Sequence, residues 1–483
     1  MNAIRAERSS LSLSRGVWVA VGFVAIGFAL TAQIFSNLAT ETEWCWHALW
    51  CIAGLVCAFP IVIRSLRNGF ECVLRDHLVM FTASFILYFL IGALFFPFGS
   101  SEEIGLALDY YMIDAPTALR VDAVNSLGFG IALIAAAFSP RGWLTRQTAK
   151  IASMACKLRA EFVMIILIIF SALAISQTWI FDFGYREGVI SGAWRTAAQF
   201  PIVAIYLGAA YRGRHERKLR ITACALSIVY GATGLLLFSK SQTLISIGAF
   251  VAGLASRFGA RGILSIGLPL LVASYFISGG LVAYGRLAIP IGTPASIAER
   301  WSVAKDGWNA TWSGDKVAET SAWGRLCYLP PQGAGLYFFD VGEPGDEFSL
   351  IPWVFIPRLV VDSKPVITQV GTDLHRKITG NDQSSTGLGV FVGGYYNGGW
   401  AGVIFVAIVC GFLLAQTSAV ATQIFAQNAS ILFPVALIGF YMAFRIDGSF
   451  LSDYLGAFVF ALYPLLFIAA IVSIQRRARP IAL

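Results

Sequence analysis

The sequence is poor in charge, in histidine and in the spacings that mark soluble chemistry. Only 13% of its 483 residues are Asp, Glu, Lys or Arg, against about 25% in an average globular chain. That shortfall excludes an ordinary water-facing surface. Eight cysteines occur without a C-x-x-C or any paired spacing, so neither a zinc motif nor a disulfide framework is indicated. G-x-x-x-x-G-K-[ST] and H-E-x-x-H are both missing, which removes the P-loop and zincin classes. There is no D-x-D pair to hold a divalent metal for a nucleotide-sugar, and neither a metal nor a cofactor is expected. Strand-like alternation, internal repeats and low-complexity segments are also missing, which argues against a barrel or a solenoid.

What is present is apolar. Hydrophobic residues make up 57% of the chain and the mean hydropathy is +0.72. Crossing roughly 30 Å of hydrocarbon takes about 20 such residues in a helix. The pattern predicts an all-α polytopic membrane protein with spans at 17–39, 44–63, 78–97, 121–138, 162–180, 196–211, 221–238, 243–256, 262–283, 399–416, 431–444 and 454–474. The first run is too long for a signal-peptide core and reads as an uncleaved span. Three parts follow: spans one to nine (1–283), one long loop (284–398), and spans ten to twelve (399–483).

Charge segregation orients the chain. With the N-terminus inside, the basic clusters around Arg64, Arg146, Arg217 and Arg476 all fall on one side. The acids on that side are Glu7, Glu71, Asp76, Glu161 and Glu216. The positive-inside rule then puts both termini in the cytoplasm and the long loop outside, in the periplasm if the cell is Gram-negative. The same rule explains the net charge of +8 without a nucleic-acid partner.

The loop carries the chemistry. Arg358, Lys364, Arg376 and Lys377 lie in its second half, Arg445 stands at the outer end of span eleven, and Arg120, Arg186 and Arg195 are candidates to join them. Cations are disfavoured outside, so their accumulation calls for an anion, and arginine holds phosphate bidentately. His375, beside Asp373, is the one histidine in this loop and a candidate general base, with an unperturbed pKa of about 6.5. Asp373 and Asp447 are the next candidates. A helical spacing places Trp301, Trp308 and Trp312 together early in the loop. Such rings suit either the membrane interface or the faces of sugars.

Pro357-Arg358 with Lys364-Pro365, the run Tyr395-Tyr396-Asn397-Gly398-Gly399-Trp400-Ala401-Gly402-Val403, and Arg445 together resemble the Wzy-type polymerases of bacterial O-antigen and exopolysaccharide repeat units. Val360-Val361 replace a tryptophan common in those proteins, and Gly393-Gly394 replace a glutamate. The resemblance implies an enzyme that joins undecaprenyl-diphosphate-linked oligosaccharides outside the membrane, with polyprenyl diphosphate leaving. It also implies a chain-length regulator and a flippase as pathway partners, and adds Tyr395 and Asn397 to the substrate-binding set. Close alternatives are an O-antigen ligase and a lipid-linked glycan flippase. Nearly charge-free spans favour an enzyme over a transporter.

Overall fold

The structure, a computed structural model, describes residues 14–462 except 68–69, 101–103, 105–110, 112, 141, 156–159, 186–198, 214, 259–266, 290–294, 314–322, 357–360, 362–363, 366, 368–369, 381–385, 428 and 430–431. Among the described residues every regular element is a helix. In chain order the principal ones are α1 (Arg15–Ser36), α2 (Trp44–Arg67), α3 (His77–Phe85), α4 (Ala115–Phe138), α5 (Gly142–Ala155), α6 (Ala160–Asp182), α7 (Gln199–Ala210) and α8 (Glu216–Leu236). They continue with α9 (Lys240–Phe258), α10 (Leu268–Ala288), α11 (Ile297–Ser313), α12 (Leu329–Asp340), α13 (Val370–Thr379), α14 (Val390–Ala426) and α15 (Phe433–Phe444). Two π-helical stretches, Ile86–Ile91 and Phe450–Gly456, extend α3 and follow α15. Six helices (α1, α2, α4, α6, α8 and α14) are long and apolar enough to cross a membrane, and shorter apolar helices accompany them.

Start signals are local. Asp114 caps α4 by accepting from Thr117 N at 2.7 Å, with Pro116 in the first turn. Asp76 caps α3 by accepting from Leu78 N at 3.2 Å. Each cap satisfies an amide that the helix start leaves orphaned.

Packing is centred on α4 and α14, whose apolar windows are both 72% buried, against 22% for α1 and α2. Lipid tails are as apolar as leucine, so burial alone does not hold such helices together; close packing of small residues does. Gly22 of α1 and Gly130 of α4 meet backbone to backbone, and a Cβ at Gly130 would lie 2.6 Å from Gly22 O. Around this pair gather α2, α3, α5, α12 and α15. A second pack, α6 to α11, joins the first where α7 lies against α15.

Two departures from the sequence expectation bear on function. Helix α14 begins at Val390, so Tyr395, Tyr396 and Asn397 are helical rather than part of a loop. It breaks at Gly398–Gly399. Gly399 has φ 58°, and a Cβ there would come within 2.8 Å of the Phe339 ring. Only glycine meets both conditions.

The spans also hold a charged pair. His47 of α2 and Asp122 of α4 are both buried, Nδ1 to Oδ2 at 2.6 Å. His47 Nε2 faces Ala93 O at 3.2 Å and Cys51 Sγ at 3.8 Å. These three side chains offer donor atoms close enough for a metal ion. The imidazole lies between the Asp122 carboxyl and the Ala93 carbonyl, with Cys51 beside Nε2.

Candidate functional site

Past the C-terminus of α15 the chain turns sharply through Arg445–Ser449, and the turn is pinned to the start of α14. Gly389 N donates to Asp447 O at 3.2 Å, and Val390 N to Ile446 O at 2.9 Å. Ser449 then caps the following π-helix, accepting from Leu451 N and Ser452 N. This brings Arg445 between two carboxylates. Its Nε lies 3.2 Å from Asp447 Oδ1 and its Nη2 3.8 Å from Asp453 Oδ2. Burial works against the charged guanidinium, but Asp447 and Asp453 outweigh it and hold its pKa above the ordinary value.

The ring of partners continues. Tyr328, just before α12, donates to Asp447 Oδ2 at 2.8 Å. Its own hydroxyl is pushed to a higher pKa by burial and by Asp447. Tyr441 donates to Asp453 Oδ1 at 3.2 Å, and Ser449 N to Asp453 Oδ2 at 2.9 Å. The Ser449 hydroxyl reaches Glu347 Oε1, which also accepts from Leu451 N at 3.0 Å. Glu347 N donates to Asn397 Oδ1 at 2.7 Å, and Asn397 Nδ2 approaches Glu347 Oε2 at 3.4 Å. A continuous network thus runs from Asn397 through Glu347, Ser449, Asp453 and Arg445 to Asp447 and Tyr328. It contains one cation and three carboxyl groups.

Within it Arg445 Nε and Asp447 Oδ1 face each other at 3.2 Å as an ion pair without hydrogen-bond geometry, and the buried Tyr454 hydroxyl has no hydrogen-bond partner among the described residues. Arg445 nevertheless keeps 34% of its side chain exposed, so a polar ligand can reach it.

The remaining residues marked by the sequence are held by contacts of their own. His375 sits on α13, half-buried, with Nδ1 2.9 Å from Thr386 Oγ1. Gly387 follows Thr386 and packs against Asp447 O and the Tyr328 ring, so the 386–389 segment joins His375 to the centre. Lys377 donates to the Tyr396 hydroxyl at 3.3 Å and lies 3.9 Å from Glu343. Tyr395 donates to Asp340 Oδ1 at 3.0 Å, and Arg120 bridges both, 2.7 Å from Asp340 Oδ2. Asp373 and Arg376 pair with each other at 3.6 Å, both more than half exposed. A surface pair of this kind contributes little. Lys364 donates to Ile356 O at 2.8 Å. Arg358, Arg186 and Arg195 lie outside the described residues.

No protein-family model, characterised protein or solved structure matches this chain. The site is therefore read from its own geometry.

Sequence reasoning did not single out Glu347, Tyr328, Asp453 or Asp340. Glu347 is the most informative omission. Burial pushes its carboxyl above the ordinary carboxylate range, and the Ser449, Leu451 and Asn397 donors only partly offset this. A raised pKa means that the folded protein keeps a proton which the unfolded chain has already lost. Stability from this group is therefore full below about pH 4.3 and is lost as pH rises through the folded pKa. Glu347→Gln keeps an acceptor and removes the charge. It should flatten this part of the profile of apparent melting temperature against pH, measured in detergent. An unchanged slope in the variant would remove Glu347 from the account.

Proposed function

We propose that the chain is a glycosyltransferase that polymerises undecaprenyl-diphosphate-linked oligosaccharide repeat units at the outer face of a bacterial inner membrane. In this reading the apolar helices make twelve crossings and the 284–398 region lies outside. The observation that carries it is the Arg445 centre. Arg445, about one third exposed and held between Asp447 and Asp453, stands just past the end of the apolar helix α15, where a lipid diphosphate would emerge from the bilayer.

The chemistry is a displacement at the anomeric carbon. An acceptor sugar hydroxyl attacks that carbon and its oxygen forms the new glycosidic bond. The hydroxyl proton passes to a base, His375 or Asp447. The bond to the diphosphate oxygen breaks and its electron pair leaves with polyprenyl diphosphate. Charge grows on that leaving group, and a fixed guanidinium stabilises it without reorganising. Lys364, Arg376, Lys377 and Arg358 would extend the anion site, while Tyr395, Asn397 and Arg120 would border the sugars. Asp447 and Asp453 hold Arg445 in place and must share it with the incoming diphosphate.

A transporter reading has one observation in its favour: the His47–Asp122 pair, since ionisable residues inside membranes often mark a path. Both members of the pair are buried, which supports a lock better than a path. Reconstitution into liposomes with a lipid-linked repeat unit separates the two. Polymerisation yields a ladder of longer lipid-linked glycans, and the ladder should persist in EDTA. Movement of the substrate across the bilayer with no lengthening would replace this proposal with the transporter.

A further inference from the structure

Helix α11 is not used by the reading above, yet it is built in an unusual way. It opens with a capping box: Glu299 N donates to Ser296 Oγ at 3.3 Å, and Ser296 N to Glu299 Oε2 at 2.7 Å. Its inward line is Arg300, Ala304 and Gly307. Arg300 is only 6% exposed. The guanidinium donates to Asp182 O at 3.2 Å and to Leu236 O at 3.4 Å, and lies 5.7 Å and 5.9 Å from the Phe183 and Phe238 rings. Asp182 and Leu236 are the last residues of α6 and α8. One arginine thus caps the carbonyl ends of two apolar membrane-length helices, where the helix dipole favours a cation. This fixes α11 at the level where those two membrane-length helices stop.

The outward face of α11 is sorted by residue type. At about 100° per residue, Trp301, Lys305 and Trp308 fall on one side of the inward line. Glu299 and Asp306 fall on the other. Trp301 is 66% and Trp308 44% exposed, and Lys305 is exposed. Gly307 lets α11 cross close to Tyr284 of α10, 3.1 Å from a Cβ built at that glycine. Indole rings with a lysine between them suit the headgroup layer, where the ring lies in the upper chains and the ammonium reaches phosphate. Recognition of a sugar would call for acceptors beside the rings, and the acids of α11 stand on the opposite flank.

The geometry points to α11 as an interfacial helix, its Trp301–Lys305–Trp308 flank seated in the phospholipid headgroups and its acidic flank facing water. The inference is independent of the enzymatic reading.

Fluorine NMR tests it on the full chain in nanodiscs. The protein is labelled with 5-fluorotryptophan, and the Trp301 and Trp308 signals are assigned by their loss in W301F and W308F. A lipid carrying a nitroxide near its headgroup should broaden both signals, and a water-soluble gadolinium chelate should affect them far less. Broadening by the chelate but not by the lipid would turn the flank to water and overturn the inference. A shift on adding oligosaccharide, without lipid broadening, would make it a sugar platform and overturn it too. Insensitivity to all three probes would mean that protein covers the flank, with the same result.

Discussion

Asp122→Ala is expected to lower the stability of the protein by about 3–5 kcal/mol, the usual cost of removing one member of a buried ion pair. Total stabilities of about 5–15 kcal/mol make that a large share. The reason lies in the surroundings of His47. Its Nδ1 faces Asp122 at 2.6 Å and its ring is fully buried. With the carboxylate gone, that nitrogen has lost its partner and water cannot reach it. His47→Ala should cost a comparable amount by stranding Asp122. Replacing both with leucine should recover most of the loss, since a well-packed apolar pair is often as stable as the ionic one. The readout is the apparent melting midpoint in detergent, with the monodisperse fraction after heating as a second measure. An Asp122→Ala protein that melts with the wild type would end this account. A wild-type midpoint that falls with a metal chelator would assign the cluster, Cys51 included, to an ion instead.

Arg445→Ala should reduce chain lengthening by about 100- to 1000-fold, the usual effect of losing one fixed donor to a developing anion. The variant also leaves Asp447 and Asp453 without their cation, so it needs a control for folding. Arg445→Lys supplies one. It keeps the charge near both carboxylates but loses the planar fork, and should remain folded with intermediate activity. Binding of undecaprenyl diphosphate, measured separately, should weaken in both variants. A wild-type ladder of products from folded Arg445→Ala would refute the site. His375→Ala then separates the two candidate bases. Loss of lengthening with binding intact favours His375, and normal lengthening favours Asp447.

The apolar runs were legible because length and hydropathy act locally. Predicted spans such as 44–63 and 121–138 overlap the observed α2 and α4 closely. The start of α14 was not legible. A stretch with Gly389, Gly393, Gly394, Gly398 and Gly399 reads as a loop by propensity, and packing against α12 and α4 makes it helical instead. Arg445 and Asp447 stood out as charges near an apolar end. Glu347 did not, because its partners Ser449 and Leu451 lie about a hundred residues away and no spacing rule reaches that far. The same limit hid the lock. Asp122 falls within the predicted span 121–138 and His47 within the span 44–63, two different helices, and only the fold brings the two together.

The double burial of α4 bears on how the protein is made. One side of α4 packs against α1, which is synthesised before it, and the other against α14, whose first residue comes about 250 residues later. At typical translation speeds of 5–20 residues per second, that gap lasts roughly 10–50 s. During this interval α4 sits in lipid without its α14 contacts, and it carries Asp122. His47 has already been inserted by then. Pairing Asp122 with His47 early lets a helix that carries a carboxyl wait in the bilayer for a partner that the ribosome has not yet reached.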